Sequence, residues 1–166
     1  MTRKLFVLGY ARHGKDTFAE FLREEANVEI EFVSSSLFVA EAAVLPTLGP
    51  RYGYKDLDEC FEDRVNHRQE WHELISQYNE ADPARLARAL FESHDIYVGL
   101  RCIVELEHAR NLADLVVWVD RSDHLPPEDT SSNTITANDC DLIIPNNQGL
   151  DELRERARRF ARVFYA

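Results

Sequence analysis

Cysteine is scarce and unpaired in this sequence. Cys60, Cys102 and Cys140 are far apart, odd in number and never spaced as C-x-x-C. That pattern argues against a disulfide framework or a zinc site and makes a reducing, cytoplasmic setting the expectation. No apolar run is long enough to span a bilayer, so no membrane partner is expected. The opening MTRKLFVLGY carries basic residues, but its apolar run ends early and no small-residue cleavage site follows. It reads as a first strand rather than a signal peptide. Net positive charge is missing as well: 19 Lys and Arg stand against 30 Asp and Glu, a balance of −11. A protein that grips long stretches of nucleic acid carries a basic stripe. Here the basic residues are scattered, apart from Arg154, Arg156, Arg158, Arg159 and Arg162 on the closing helix, which interleave with acids and read as a solvated face. Charge therefore favours a small-molecule partner and leaves room for a short contact with DNA. There is no G-x-S-x-G elbow and no Cys/His pair for nucleophilic catalysis. His67 and His72 are not four apart, and His94, His108 and His124 are isolated, so the histidines form no metal set. No repeat, low-complexity tract or linker divides the 166 residues, a length that fits one α/β domain over 1–166.

What is present alternates strand with helix. Residues 4–10, KLFVLGY, are a short apolar run ending near glycine, which suits a strand buried on both faces. Phe18, Phe21 and Leu22 follow at helical spacing. Glu29–Ser35 reads as a second strand stopped by a Ser-rich turn, with no further element assigned before Asp56. Two helical stretches lie between Asp56 and Tyr78, with Leu57, Phe61, Trp71, Leu74, Ile75 and Tyr78 as the buried stripe. Pro83 is placed to open a helix carrying Leu86, Leu90 and Phe91. Asp95–Leu100 is a third strand, Leu115–Val119 a fourth and Leu142–Ile144 a fifth. A helix through Ile103, Leu106 and Ala109 follows the third strand. Residues 122–138 are a polar loop without periodicity, and an amphipathic helix with Leu150, Leu153, Ala157, Phe160 and Phe164 on one side closes the chain. The alternation predicts a doubly wound, mostly parallel five-stranded sheet with helices on both faces.

Gly9-Tyr10-Ala11-Arg12-His13-Gly14-Lys15 fits G-x-x-x-x-G-K, with Asp16 where Ser or Thr usually follows and Thr17 one place later. Glycines let the backbone wrap phosphate oxygens, and the exposed N–H groups with the helix N-terminus make an anion site. The motif lies between a predicted strand and a predicted helix, the context it requires. ATP is thus expected on Gly9, Ala11, Arg12, His13, Gly14, Lys15, Asp16 and Thr17. Lys15, expected to be exposed at the mouth of the loop, would bridge β- and γ-phosphates. Thr17 would supply a hydroxyl to Mg²⁺. Asp16 is expected to face Mg²⁺ or an acceptor hydroxyl, since a carboxylate beside bound phosphates is otherwise repelled. His13, inside the loop, would meet ligand or solvent.

The Gly14-Lys15-Asp16-Thr17 ending resembles the phosphate loop of phage deoxynucleoside monophosphate kinases. Asp141–Leu153, where a late strand enters an Asn-rich turn before the last helix, is similar to their closing segment, and Asp95–Arg101 to their third strand. Ser34–Asn79 matches loosely. DIYVGLR and the Ser131–Thr134 stretch also resemble a related branch of phage kinases that phosphorylate 5-hydroxymethyluracil within DNA. The resemblance implies a phosphotransferase in a cytoplasm, the host's if the chain is phage-encoded. Its acceptor would be a deoxynucleoside monophosphate, the preferred reading because the charge favours it, with hydroxymethyluracil in DNA, which a short chain lacking lid arginines favours, as the alternative. A homodimer is allowed.

The resemblance also implies that Arg101, at the end of the third strand, points toward transferred phosphate, and that arginines on a helix after the second strand help hold the acceptor. Arg64 and Arg68, four apart and so on one helical face, are the candidates. The alternative for Arg101 is a pair with Glu105, and for Arg64 and Arg68 a face neutralised by nearby acids. Leu115–Asp120 has the shape of a Walker B strand, yet the resembling enzymes use the end of this strand near the base and lid. Arg121 is therefore preferred to Asp120. No NKxD guanine-specificity motif follows the fourth strand, which argues against a nucleotide switch; intact Lys15 and Thr17 argue against a non-catalytic nucleotide-binding module.

Overall fold

A computed structural model describes residues 2–166. In chain order the elements are β1 (Leu5–Leu8), α1 (Lys15–Glu25), β2 (Phe32–Ser34), α2 (Ser35–Val39), a π-helical segment (Ala40–Val44), α3 (Leu45–Tyr52), α4 (Leu57–Glu62) and α5 (Arg68–Asn79). They continue with α6 (Arg85–Ser93), β3 (Ile96–Val98), α7 (Ile103–Ala109), β4 (Leu115–Asp120), β5 (Leu142–Pro145) and α8 (Leu150–Phe164). The strands form one sheet in the order β2-β3-β1-β4-β5, and every pairing is parallel. This is the doubly wound α/β architecture expected from the alternation of strands and helices.

The central strand shows why the sheet is covered on both sides. All four residues of β1 are fully buried. Leu5 and Val7 pack with Phe18, Ala19 and Leu22 of α1 and Leu153, Ala157 and Ala161 of α8. Phe6 and Leu8 face the other way, into a core with Val39, Val44, Trp71, Leu90 and Trp118. Each such Leu or Phe side chain contributes roughly 1.5–3 kcal/mol on burial, so the start of the Gly9–Lys15 loop is fixed to a rigid strand. The basic cluster of α8 is a solvated face, as expected: Arg154 pairs with Glu24 and Glu25, Arg156 with Glu152, and Arg158 and Arg159 with Glu155.

Three local expectations are corrected. The serines after β2 do not stop the chain. The Ser34 hydroxyl accepts from the Leu37 N–H at 3.3 Å and caps a helical run that continues to Tyr52. Serine suits turns and N-caps for the same reason, so the two readings look alike in sequence. Pro46 follows directly on the junction between the π-helical segment and α3. The turn before it widens, with the Leu45 N–H bonded to the Ala40 carbonyl. Second, α6 starts at Arg85 rather than Pro83, because the Asp82 carboxylate accepts from the Ala84 N–H at 3.0 Å and makes a turn there. Third, Arg64 and Arg68 do not share a helix: Arg64 lies in a 3₁₀ turn (Asp63–Val65), and Arg68 begins α5. The break is held by Asp63, whose carboxylate accepts from both Tyr54 and Asn66 at 2.6 Å.

Residues 122–138 contain no strand or α-helix, yet both ends are tied down. The Leu125 N–H bonds the Arg121 carbonyl at 3.0 Å, and the Thr134 N–H bonds the Arg101 carbonyl at 2.9 Å. The Thr134 hydroxyl accepts from the Ile103 N–H, and Ile135 is fully buried in the core.

Candidate active site

At the C-terminal end of β1 the chain turns away from the sheet through Gly9, with φ 145°. A Cβ there would lie 2.5 Å from the Val119 carbonyl oxygen, so only glycine lets the loop pass this close to β4. Gly14 closes the loop with φ 94° and admits the Asn146 amide, which would stand 2.4 Å from any Cβ. Between them Arg12 holds a left-handed backbone, φ 62°, the one such non-glycine among the described residues. Backbone of this kind costs about 1–3 kcal/mol and persists where surroundings enforce it. Lys15 opens α1, whose N-terminus has no side-chain cap and so leaves N–H groups aimed at the loop.

A cavity of about 260 Å³ lies over this helix end, lined by Arg12, Gly14, Lys15, Asp16, Thr17, Arg121, Asn146, Gly149 and Leu150. The structure thus brings five of the expected loop residues together with Arg121. Asn146 and Gly149, which the sequence places in an Asn-rich turn, join them as cavity walls. Gly9 shapes the loop from behind. Asp16 is exposed beside Lys15, and Thr17 is half-buried. A Mg²⁺ ion here would rest on Thr17 and on phosphate oxygens. Among the described residues no three His, Cys, Asp or Glu side chains gather as a metal-holding set.

Lys15 is not exposed at the mouth, as expected from its place in the motif, but 7 % exposed. Its Nζ donates to the Tyr10 carbonyl at 2.7 Å. Burial pushes its pKa down, the nearby Arg101 charge pushes it further, and Asp16 and Glu128 pull the other way. An ammonium so placed is under-neutralised and suited to an incoming polyanion.

His13 also departs from expectation. Its side chain is fully buried and faces away from the cavity, with its ring edge-on to Tyr10 at a centroid distance of 5.4 Å. Its Nδ1 accepts from the Arg121 N–H at 2.9 Å, which places the proton of the neutral ring on Nε2. Burial lowers its pKa, with Asp120 opposing. The His13 carbonyl accepts from the Asn146 Nδ2 at 2.9 Å. His13 therefore ties the loop to the ends of both β4 and β5 instead of facing ligand. A polar side chain in a loop reads as ligand-facing; the neighbouring strand ends determine otherwise.

Arg101 is brought to the loop, though not through the alternative pair with Glu105. Its Nη1 donates to Glu128 Oε1 at 2.6 Å. Glu128 Oε2 accepts from the Ala11 N–H at 2.7 Å. Burial resists ionisation of Glu128, but Arg101, the Ala11 N–H and the Lys15 charge outweigh it and hold its pKa low. Glu105 instead accepts from Asn79 at 2.9 Å, and burial raises its pKa. Glu128 was not among the expected site residues. The only hint of it is an acid in an arginine-free loop that must pack somewhere near the strand ends. Arg64 and Arg68 are not brought to the cavity. Both are exposed, and the Arg64 guanidinium lies 4.0 Å over the Phe61 ring.

No protein-family model matches the chain, and no curated protein matches it by sequence. Among solved structures it is similar to the shikimate kinase of Bacteroides thetaiotaomicron, at 10% identity over 99% of both chains with a TM-score of 0.51. It is similar to TT1252 from Thermus thermophilus at 14% identity, covering 98% of this chain and 97% of that one with a TM-score of 0.51. A sugar kinase from Janibacter sp. aligns at 17% identity over 98% of this chain and 96% of its own, with a TM-score of 0.49. No helix among the described residues is long and apolar enough to cross a membrane. The chain shares the α/β fold of the shikimate kinase.

Proposed function

We propose that the chain is a P-loop kinase that moves the γ-phosphate of ATP to a deoxynucleotide-type acceptor. The observation that carries this reading is the convergence of the Ala11 N–H, Arg101 and Lys15 on one anion position beside the cavity, already taken by a carboxylate. Donors fixed in advance around a charge-bearing centre are what phosphoryl transfer needs, because it proceeds by positioning and electrostatic stabilisation without a covalent intermediate. In this reading Gly9–Thr17 cradle the phosphates, with Lys15 between the β and γ groups. Arg101 and Arg121 offset charge as the acceptor oxygen bonds to phosphorus and the bond to the bridging oxygen breaks, releasing ADP. Asp16, exposed on the cavity wall, takes the proton of the attacking hydroxyl. Mg²⁺ held near Thr17 would neutralise phosphate charge.

The acceptor best supported is a hydroxymethyl group on a pyrimidine base in DNA, the base leaving its stack to enter the cleft. Arg64 and Arg68 lie outside the cavity, which counts against a closed monophosphate pocket built from them. The net charge of −11 favours the second reading, a free deoxynucleoside monophosphate. Labelled ATP offered against mononucleotides and against hydroxymethyluracil-containing duplex separates them, with Lys15→Ala as the control. Label on DNA alone, lost steeply as salt rises, is the expected result. Label on mononucleotides alone overturns the DNA reading, and label on neither overturns the kinase.

A further inference from the structure

An N–H group has one hydrogen, and a carboxylate and a phosphate oxygen cannot both take it at full strength. The Ala11 N–H gives its hydrogen to Glu128. The other oxygen of the same carboxylate takes the Arg101 guanidinium. Lys15 stands close enough to stabilise the ionised form. Glu128 thus lies across the donors that a phosphoryl group bound to this loop needs. It is carried by residues 122–138 at a point between the anchors at Leu125 and Thr134, where Pro126, Pro127 and Glu128 have no regular structure. The carboxylate can therefore leave while both ends of the loop stay attached.

We propose that Glu128 is a specificity-determining residue of the phosphate loop: a tethered anion that must be displaced before a ligand's phosphates can occupy the Ala11–Arg101 position. The contest between the two anions sets what is admitted. A singly charged oxyanion has little advantage over a carboxylate already held in place. A chain of phosphates gains Lys15, the N–H groups of α1 and the Arg101 charge together, and so displaces it. Entry of such a ligand frees the middle of the loop, so phosphate occupancy and loop order become one event. The ligand class is a polyphosphate ester. The inference rests on the phosphate-loop reading above and is independent of which acceptor is used.

Binding of pyrophosphate and of ATP is measured by calorimetry for the intact chain, Glu128→Gln and Glu128→Ala, beside hydrogen exchange of residues 128–132. Removing a charge-assisted competitor is expected to tighten both ligands by about 10-fold to 100-fold. Glu128→Ala should gain at least as much as Glu128→Gln, since the amide can still accept from Ala11. Exchange at 128–132 should quicken in the variants, and in the intact chain when pyrophosphate is added. Unchanged or weaker binding in both variants overturns the proposal, as does pyrophosphate binding that leaves exchange of the loop unaltered. If neither the intact chain nor the variants bind pyrophosphate or ATP, the proposal and the kinase reading fall together. Binding without transfer to any acceptor leaves the kinase reading alone in default.

Discussion

Gly9→Ala tests whether the loop's course over β4 is dictated by backbone crowding. The added methyl would stand 2.5 Å from the Val119 carbonyl oxygen, and φ would remain at 145°. Neither partner can step aside: Leu8 pairs with Trp118 in the strand ladder directly before this point, and Val119 is itself fully buried. A non-glycine residue in such a conformation costs about 1–3 kcal/mol. Forcing strand backbone apart in a packed core costs another ~1–3 kcal/mol. The sum, about 2–6 kcal/mol, is a large share of the roughly 5–15 kcal/mol that holds a domain folded. For a chain of this size each kcal/mol moves the midpoint by about 2–4 °C, so thermal unfolding followed by circular dichroism should show a fall of roughly 5–20 °C. Gly14→Ala is the internal control, because its crowding partner is the end of the Asn146 side chain rather than backbone. It should cost less stability while loosening the His13 carbonyl from Asn146. An unchanged midpoint for Gly9→Ala, or a larger fall for Gly14→Ala, would refute the reasoning.

Lys15→Met should lower phosphoryl transfer by orders of magnitude in a chain that still folds, measured as label transferred per enzyme; near-normal turnover removes the central claim. Because burial and Arg101 depress the Lys15 pKa below its ordinary 10.5, the unfolded chain binds the extra proton more readily than the folded one. The penalty for keeping Lys15 charged is full below the depressed folded value and fades as pH climbs toward 10.5. The midpoint of Lys15→Met should thus exceed that of the intact chain near neutral pH, with the gap closing in alkaline buffer; a gap that widens with pH contradicts the burial argument. Asp16→Asn should reduce turnover far more than ATP affinity, the mark of an interaction made mainly in the transition state; equal losses would sink its acceptor-side role. His13→Ala removes a buried ring and leaves the Arg121 N–H without its acceptor, so a loss of about 2–4 kcal/mol in denaturant unfolding is expected, and a neutral result would show that the clamp does not stabilise the fold.

What could be read in advance was local. The three central strands, β1, β3 and β4, announce themselves as apolar runs, because a strand buried on both faces needs apolar residues whatever it pairs with. The Gly9–Lys15 loop is legible for a similar reason: glycines, lysine and flanking elements fall within one short segment. The misreadings share a different cause. Ser34 is a cap rather than a stop because of an N–H three residues on, and the helical run behind it continues through Pro46 and Pro50 to Tyr52. Arg64 and Arg68 have helical spacing, but side-chain bonds to Asp63 break the helix between them.

The deeper limit concerns charge. How readily the buried Lys15 holds its proton depends on Arg101, just beyond the end of β3, and on Glu128 from the loop after β4. His13 is turned inward by the Arg121 N–H and held at its carbonyl by Asn146. Those partners are separated from the loop by roughly half the chain or more, and they meet only because the parallel sheet gathers the C-terminal ends of β1, β3, β4 and β5 at one edge. A motif names the residues that can bind phosphate. The electrostatic state of those residues is set by the topology: a buried ammonium on Lys15, with the Glu128 carboxylate held between the Ala11 N–H and Arg101. The sheet order was inferable only as a class, so Glu128 had no signature in the sequence until β4 and its following loop were laid beside β1.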